Sequence, residues 1–104
     1  SENNKNNNPA DITFKLEWKN VTNTFVSDNL RFSLIRNGET IISDQAVPRT
    51  GSLLIDNETV SKKSKNEYEI IYEFKETGKN QNEDQGKVFK TDILVKAGKV
   101  KKWD

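Results

Sequence analysis

Four residues in the stretch NQNEDQGKVFK (80–90) could do chemistry together: Asn80, Asn82, Glu83 and Asp84. Amide and carboxylate oxygens at this density are what a calcium ion takes. The spacing differs from an EF-hand loop, which needs ligands at positions 1, 3 and 5, glycine at 6 and glutamate at 12. The plainer alternative is a solvated hairpin loop that ends at Gly86 and delivers the last strand, with glycine there for a backbone conformation that a Cβ opposes. Both readings stand at this point, and Asn80, Asn82, Glu83 and Asp84 are weak calcium candidates.

Most other chemistry lacks its parts. The chain has no histidine and no cysteine. The usual neutral-pH general base and the commonest metal ligand go with the first. Ser-His-Asp and Cys-His arrangements are ruled out with them. Thiolate metal sites and disulfides go with the second. A zinc site built from carboxylates alone is a poor set. No Ser-x-x-Lys occurs, and the five glycines are isolated, so there is no phosphate cradle. With 16 acidic residues, carboxylate pairs arise by chance and carry no signal for glycoside cleavage. The expectation is a protein that is not an enzyme and needs no cofactor. A Lys–Asp isopeptide crosslink between Lys15 and Asp92 would require both in the core, and alternation sets both on the polar face. Asn20-Val21-Thr22 and Asn57-Glu58-Thr59 are sugar acceptors only in a glycosylating secretory pathway.

The elements that would position these residues are strands. In ITFKLEW (12–18), Ile12, Phe14, Leu16 and Trp18 face one way and Thr13, Lys15 and Glu17 the other. A period of two marks a strand with one buried face. LRFSLIR (30–36) repeats the pattern. Asn37-Gly38 then joins it to ETIIS (39–43), a strong hairpin signal because a type I′ turn needs positive φ at both central residues. AVPRTG (46–51) breaks the pairing, SLLI (52–55) is a short strand, DNE (56–58) reads as a turn, and 59–66 as a loop or edge. EYEIIYEFKE (67–76) is the best strand, with Tyr68, Ile70, Tyr72 and Phe74 on one face. KVFKTDILVK (87–96) closes the pattern with Phe89, Thr91, Ile93 and Val95 on one face. Residues 19–29 read as irregular. No window carries a helical repeat. The expected fold is all-β, an antiparallel two-sheet sandwich (jelly-roll or Ig-like) of 6–8 strands.

A chain of 104 residues forms one domain with a modest core. The Asn-rich opening SENNKNNNPA (1–10) reads as a disordered tail left after removal of a leader, and 11–104 as the sandwich. Apolar residues make up 32%, and mean hydropathy is -0.90. The net charge of +1 gives no field that would draw nucleic acid. No run of about 20 apolar residues could span a bilayer.

Trp18, Tyr68, Tyr72 and Phe74 could form a sugar-stacking platform, although each falls in register with core positions; Trp103 lies apart, after Lys-Lys. The segment YEIIYEFKETGKNQNEDQGKVFKTDILVK carries Tyr68, Ile70 and Tyr72, then the Asn- and acid-rich loop, then Gln85-Gly86-Lys87-Val88-Phe89. It resembles the closing hairpin of TasA/camelysin-like proteins, small β-sandwich proteins of Firmicutes exported through the signal peptidase SipW. LRFSLIRNGETI is similar to a mid-domain segment of related exported proteins, so the likeness covers roughly residues 28–97. It implies an extracellular or cell-surface protein of a Gram-positive bacterium with a structural role in biofilm matrix, fibre or adhesion. It implies protein partners or self-assembly, with the N-terminal segment donated as a strand in fibre-forming members. Camelysin is classed as a metalloprotease, but without histidine no catalytic residue carries over. The alternative expectation is a module for carbohydrate, such as cell-wall polysaccharide.

Overall fold

The structure, a computed structural model, describes residues 2–5, 11–76 and 82–100. Seven strands form two antiparallel sheets. They are β1 (Glu2–Lys5), β2 (Ile12–Asn23), β3 (Leu30–Arg36), β4 (Glu39–Ala46), β5 (Ser52–Val60), β6 (Lys65–Phe74) and β7 (Phe89–Val100). The first sheet runs β1-β6-β3-β4 and the second β5-β2-β7. The only helical element among the described residues is a single 3-10 turn at Asn82–Asp84.

The sandwich forms because the alternating faces have to be covered. Phe14, Leu16 and Trp18 of β2 meet Phe32 and Leu34 of β3 and Tyr68 of β6 between the sheets. Trp18 stands edge-on to Phe32 at a centroid distance of 5.0 Å, and Phe14 edge-on to Tyr68 at 6.1 Å. Edge-to-face packing suits the ring quadrupoles. Each fully buried side chain of this size contributes about 1.5–3 kcal/mol relative to exposure. The β3–β4 hairpin turns on Asn37 (φ 50°) and Gly38 (φ 82°), both left-handed as a type I′ turn demands.

Strand ends depart from the sequence expectation where turn-forming residues lie inside strands. DNE (56–58) is not a turn. Asn57 takes φ 54° in a bulge, the β2–β5 register slips beside it, and β5 runs on to Val60. The reversal comes later, where the Ser64 N–H donates to the Ser61 carbonyl at 3.1 Å. Asn20 (φ 54°) marks a similar slip in β2, which continues through the stretch read as irregular to Asn23. β7 likewise continues past Lys96 to Val100, and Val95 is 43% exposed despite its place in the alternation. Within the stretch read as a tail, Glu2–Lys5 pair antiparallel with β6, in the register Glu2 with Tyr68 and Lys5 with Lys65. Main-chain bonding needs no apolar pattern, so nothing in the ENNK sequence announced it.

Candidate functional site

The acidic loop is positioned by Asp84. Its carboxylate is buried, 6% exposed, although the sequence placed it in a solvated turn. Oδ1 accepts the Val26 N–H at 2.7 Å and the Ser27 N–H at 3.1 Å, and Oδ2 accepts the Ser27 hydroxyl. Hydrogen bonds to the charged form, with Ser27 foremost, hold the Asp84 carboxyl below the usual carboxylate range. Arg49 completes the clasp. Its guanidinium donates to the carbonyls of Phe25 at 2.6 Å and Ser27 at 2.9 Å and to Asp28 Oδ1 at 3.1 Å. The Asp84 oxygens that a calcium ion would want are engaged by the Val26 and Ser27 N–H groups and the Ser27 hydroxyl.

Asn82 and Glu83 share the 3-10 turn with Asp84. Glu83 and Asn82 are exposed, and the Asn82 carbonyl accepts the Gln85 N–H at 3.1 Å. Asn80 lies outside the described residues. Among the described residues no three His, Cys, Asp or Glu side chains gather as a metal group. The loop does deliver the last strand. Gly86 has φ +71°, which L side chains rarely adopt, and β7 begins three residues later with Phe89 packed against the core.

The crosslink pair lies on the outer face of the sandwich. Lys15 sits 3.6 Å from Glu17, and Asp92 accepts the Asn20 amide at 2.9 Å. Of the aromatic residues, Trp18 and Tyr68 are core and offer no platform. Tyr72 differs. It is 43% exposed and touches Phe89 across the gap between the sheets, at 5.7 Å and 57° between ring planes. Trp103 lies outside the described residues.

A second polar cluster escaped the sequence reading altogether. Glu58 of β5 is buried and takes a two-pronged bond from Arg36 Nη1, at 2.8 and 2.9 Å. The Tyr68 hydroxyl donates to Glu58 Oε1 at 2.7 Å. Asn66 Nδ2 donates to the Tyr68 oxygen at 3.3 Å and to the Thr59 carbonyl at 3.1 Å. Asn37 Nδ2 donates to Asn66 Oδ1 at 3.3 Å, and Asn37 Oδ1 accepts the Glu67 N–H. Burial first, then the hydrogen bond to Glu58, pushes the Tyr68 phenol well above its ordinary pKa, while Glu58 raises Arg36. The phenol is locked in its protonated form and closed off from solvent. This cluster ties the two sheets at one end.

The opposite situation holds along the far half of β6. On one side, β6 pairs with β3 from Leu30–Phe74 to Arg36–Tyr68 without a slip. The Asn37 N–H reaches the Glu67 carbonyl and the Lys75 N–H reaches the Asn29 carbonyl. Odd-numbered residues therefore turn their main-chain groups toward β3, and Ile70, Tyr72 and Phe74 turn theirs outward. β1 covers that outward edge only as far as Tyr68. Among the described residues no strand covers Glu69–Phe74. Beneath this edge a cavity of about 180 Å³ is lined by Leu16, Leu34, Leu54, Ile70 and Ile93 together with Tyr68 and Tyr72, so aliphatic side chains and two tyrosines share its wall. A wider hollow beyond Tyr72 and Phe89 is lined by Phe25, Leu30 and Thr91.

Two other sheet edges, β4 and β5, are blunted, while β7 also forms an edge of the second sheet. β4 carries Asp44 at φ 53° and β5 carries Asn57 at φ 54°, both beside register slips. Bulges and inserted charges are the usual protection of an edge. β6 has neither. Comparison with protein-family models, curated proteins and solved structures gave no match to this chain. Function is therefore argued from the site itself.

Proposed function

We propose that the protein is a non-catalytic interaction module of the cell surface or extracellular matrix of a Gram-positive bacterium, in a fibre or adhesive assembly, which joins a protein partner through the open edge of β6. The observation that carries this is the unbulged run Glu69–Phe74, covered by no strand among the described residues, above a cavity. A strand with free N–H and C=O groups is a template for another strand, and the hollow beneath it receives that strand's inward side chains. The resemblance of residues 68–72 and 85–89 to exported sandwich proteins supports the setting. Placing proline at position 72 removes an outward N–H and leaves every β3 bond in place. Wild-type protein is expected to be retained on Gram-positive cell-surface or matrix fractions, and Tyr72→Pro to wash off. Equal retention of both, or none of either, contradicts the reading.

A second reading, carbohydrate binding, rests on the half-exposed Tyr72 beside Phe89. The tilt between these rings gives no flat platform. Glycan binding that vanishes with Tyr72→Ala and survives Tyr72→Phe would favour it over strand pairing.

A further inference from the structure

The open half of β6 has a chemical signature that names its partner, given the strand-pairing reading above. Three features coincide there. The outward main-chain groups belong to Ile70, Tyr72 and Phe74; the Ile70 and Tyr72 side chains face the cavity, Tyr72 also borders the hollow beside it, and Phe74 packs against Phe25. The opposite, solvent face of the same strand carries Glu69, Ile71 and Glu73, with Ile71 47% exposed. Neither Glu69 nor Glu73 has an ion-pair partner among the described residues, although seven salt bridges occur among them. Nearby cations are engaged elsewhere: Arg31 bonds to Asp44, and Lys75 lies 3.1 Å from Asp44. Glu73 stands opposite Arg31 on β3, whose guanidinium is engaged by Asp44, while Glu69 stands opposite Ile35; the two carboxylates, about 13 Å apart on one strand, flank an exposed isoleucine.

We infer that the partner is an extended segment of another protein with the pattern basic–apolar–apolar–apolar–basic, bound antiparallel to Glu69–Phe74. The direction follows from β1, which already lies antiparallel on the same edge up to Tyr68. In that register the two basic residues stand opposite Glu73 and Glu69, since directly opposed residues share a face. The central apolar residue covers Ile71. The two flanking apolar residues stand opposite Tyr72 and Ile70 and point inward. The residue opposite Ile70 is the anchor, because its side chain enters the cavity of about 180 Å³. An engineered apolar cavity of about 150 Å³ takes benzene, so a phenylalanine or leucine side chain fits. A second copy of β6 is a poorer occupant: pairing two such edges about Ile71 sets Glu69 against Glu73 twice, and opposed like charges destabilise a ladder.

The probe is the capped hexapeptide Thr-Lys-Leu-Val-Phe-Lys, which ends opposite Glu69 and leaves Tyr68 to β1, compared with Thr-Glu-Leu-Val-Phe-Glu, followed by calorimetry and by amide shifts of the labelled protein. The lysine peptide is expected to bind about tenfold tighter than the glutamate peptide at low salt. The shifts should centre on Ile70 and Tyr72. The double variant Glu69→Lys/Glu73→Lys, altered only at exposed positions, should reverse the preference. Equal binding of both peptides, binding of neither, or a preference unchanged in the double variant overturns the inference. So does a wild-type dimer held through β6 in sedimentation. Should the peptides fail while surface retention remains sensitive to Tyr72→Pro, the partner assignment falls and the interaction reading stands. Retention indifferent to Tyr72→Pro removes the reading itself.

Discussion

The two halves of β6 have similar alternating side chains and opposite surroundings. Over Lys65–Tyr68 the strand is covered by β1, and its inward residues Asn66 and Tyr68 enter a polar network that crosses to β5. Over Glu69–Phe74 no strand among the described residues covers the outer edge, and the inward residues Ile70 and Tyr72 border a cavity. One half is finished by the chain itself. Among the described residues the other has paired main-chain bonds on one side only and carboxylates without a salt bridge. The contrast teaches that stability and recognition are separated along a single strand, with the closed half fixing the geometry that the open half presents.

The largest effect that would break this contrast belongs to the closed half. Glu58→Ala leaves Arg36 and the buried Tyr68 hydroxyl short of their acceptor, and should cost about 3 kcal/mol in urea unfolding. Replacing Arg36 and Glu58 by leucine together with Tyr68→Phe should recover most of that loss, because neither a charge nor the buried hydroxyl is then left without a partner. A loss well under about 1 kcal/mol for Glu58→Ala would mean that the tie does not hold the sheets.

Tyr68→Phe comes next, at about 1–2 kcal/mol for the lost hydrogen bonds. It also carries a pH signature. The folded pKa of Tyr68 lies above the unfolded value, so its contribution is complete below about pH 10 and declines as the unfolded chain begins to ionise above it. Wild-type stability should therefore fall between pH 9.5 and 11.5 more steeply than that of Tyr68→Phe, about two units around the ordinary tyrosine value. Parallel curves would contradict the assigned environment.

The clasp on the loop bordering the open half gives a smaller, acid-side effect. The folded pKa of Asp84 is lowered, so its contribution is present above the unfolded value of about 4 and is lost as pH falls through that range. Asp84→Asn should flatten the acid limb and speed amide exchange at Val26 and Ser27. Unchanged exchange there would show that the loop does not depend on Asp84. Ile71→Thr, in the open half, should stay within about 0.5 kcal/mol of wild type, which sharpens the contrast with Glu58.

The strands were legible because period-two alternation is a local signal, and Asn37-Gly38 announced its own turn. Asp56-Asn57 misled because the residues that favour turns also tolerate the left-handed conformation of a bulge, and only the facing strand decides between them. β1 was hidden because edge pairing by main-chain atoms leaves no mark on side-chain pattern. Asp84 was visible as a candidate, but its role was not. The residues that bond to it are 57 and 58 positions away, and spacing within one loop says nothing about them. Glu58 looked like a turn residue, and its burial depends on Arg36 and Tyr68 arriving from the other sheet.

The openness of β6 is tested most directly by residue-resolved hydrogen exchange on the free protein. The amides of Glu69, Ile71 and Glu73 should be protected by β3, while those of Ile70, Tyr72 and Phe74 exchange rapidly. Uniform protection from Glu69 to Phe74 would show that the edge is already covered, and the account of an open recognition strand would be wrong.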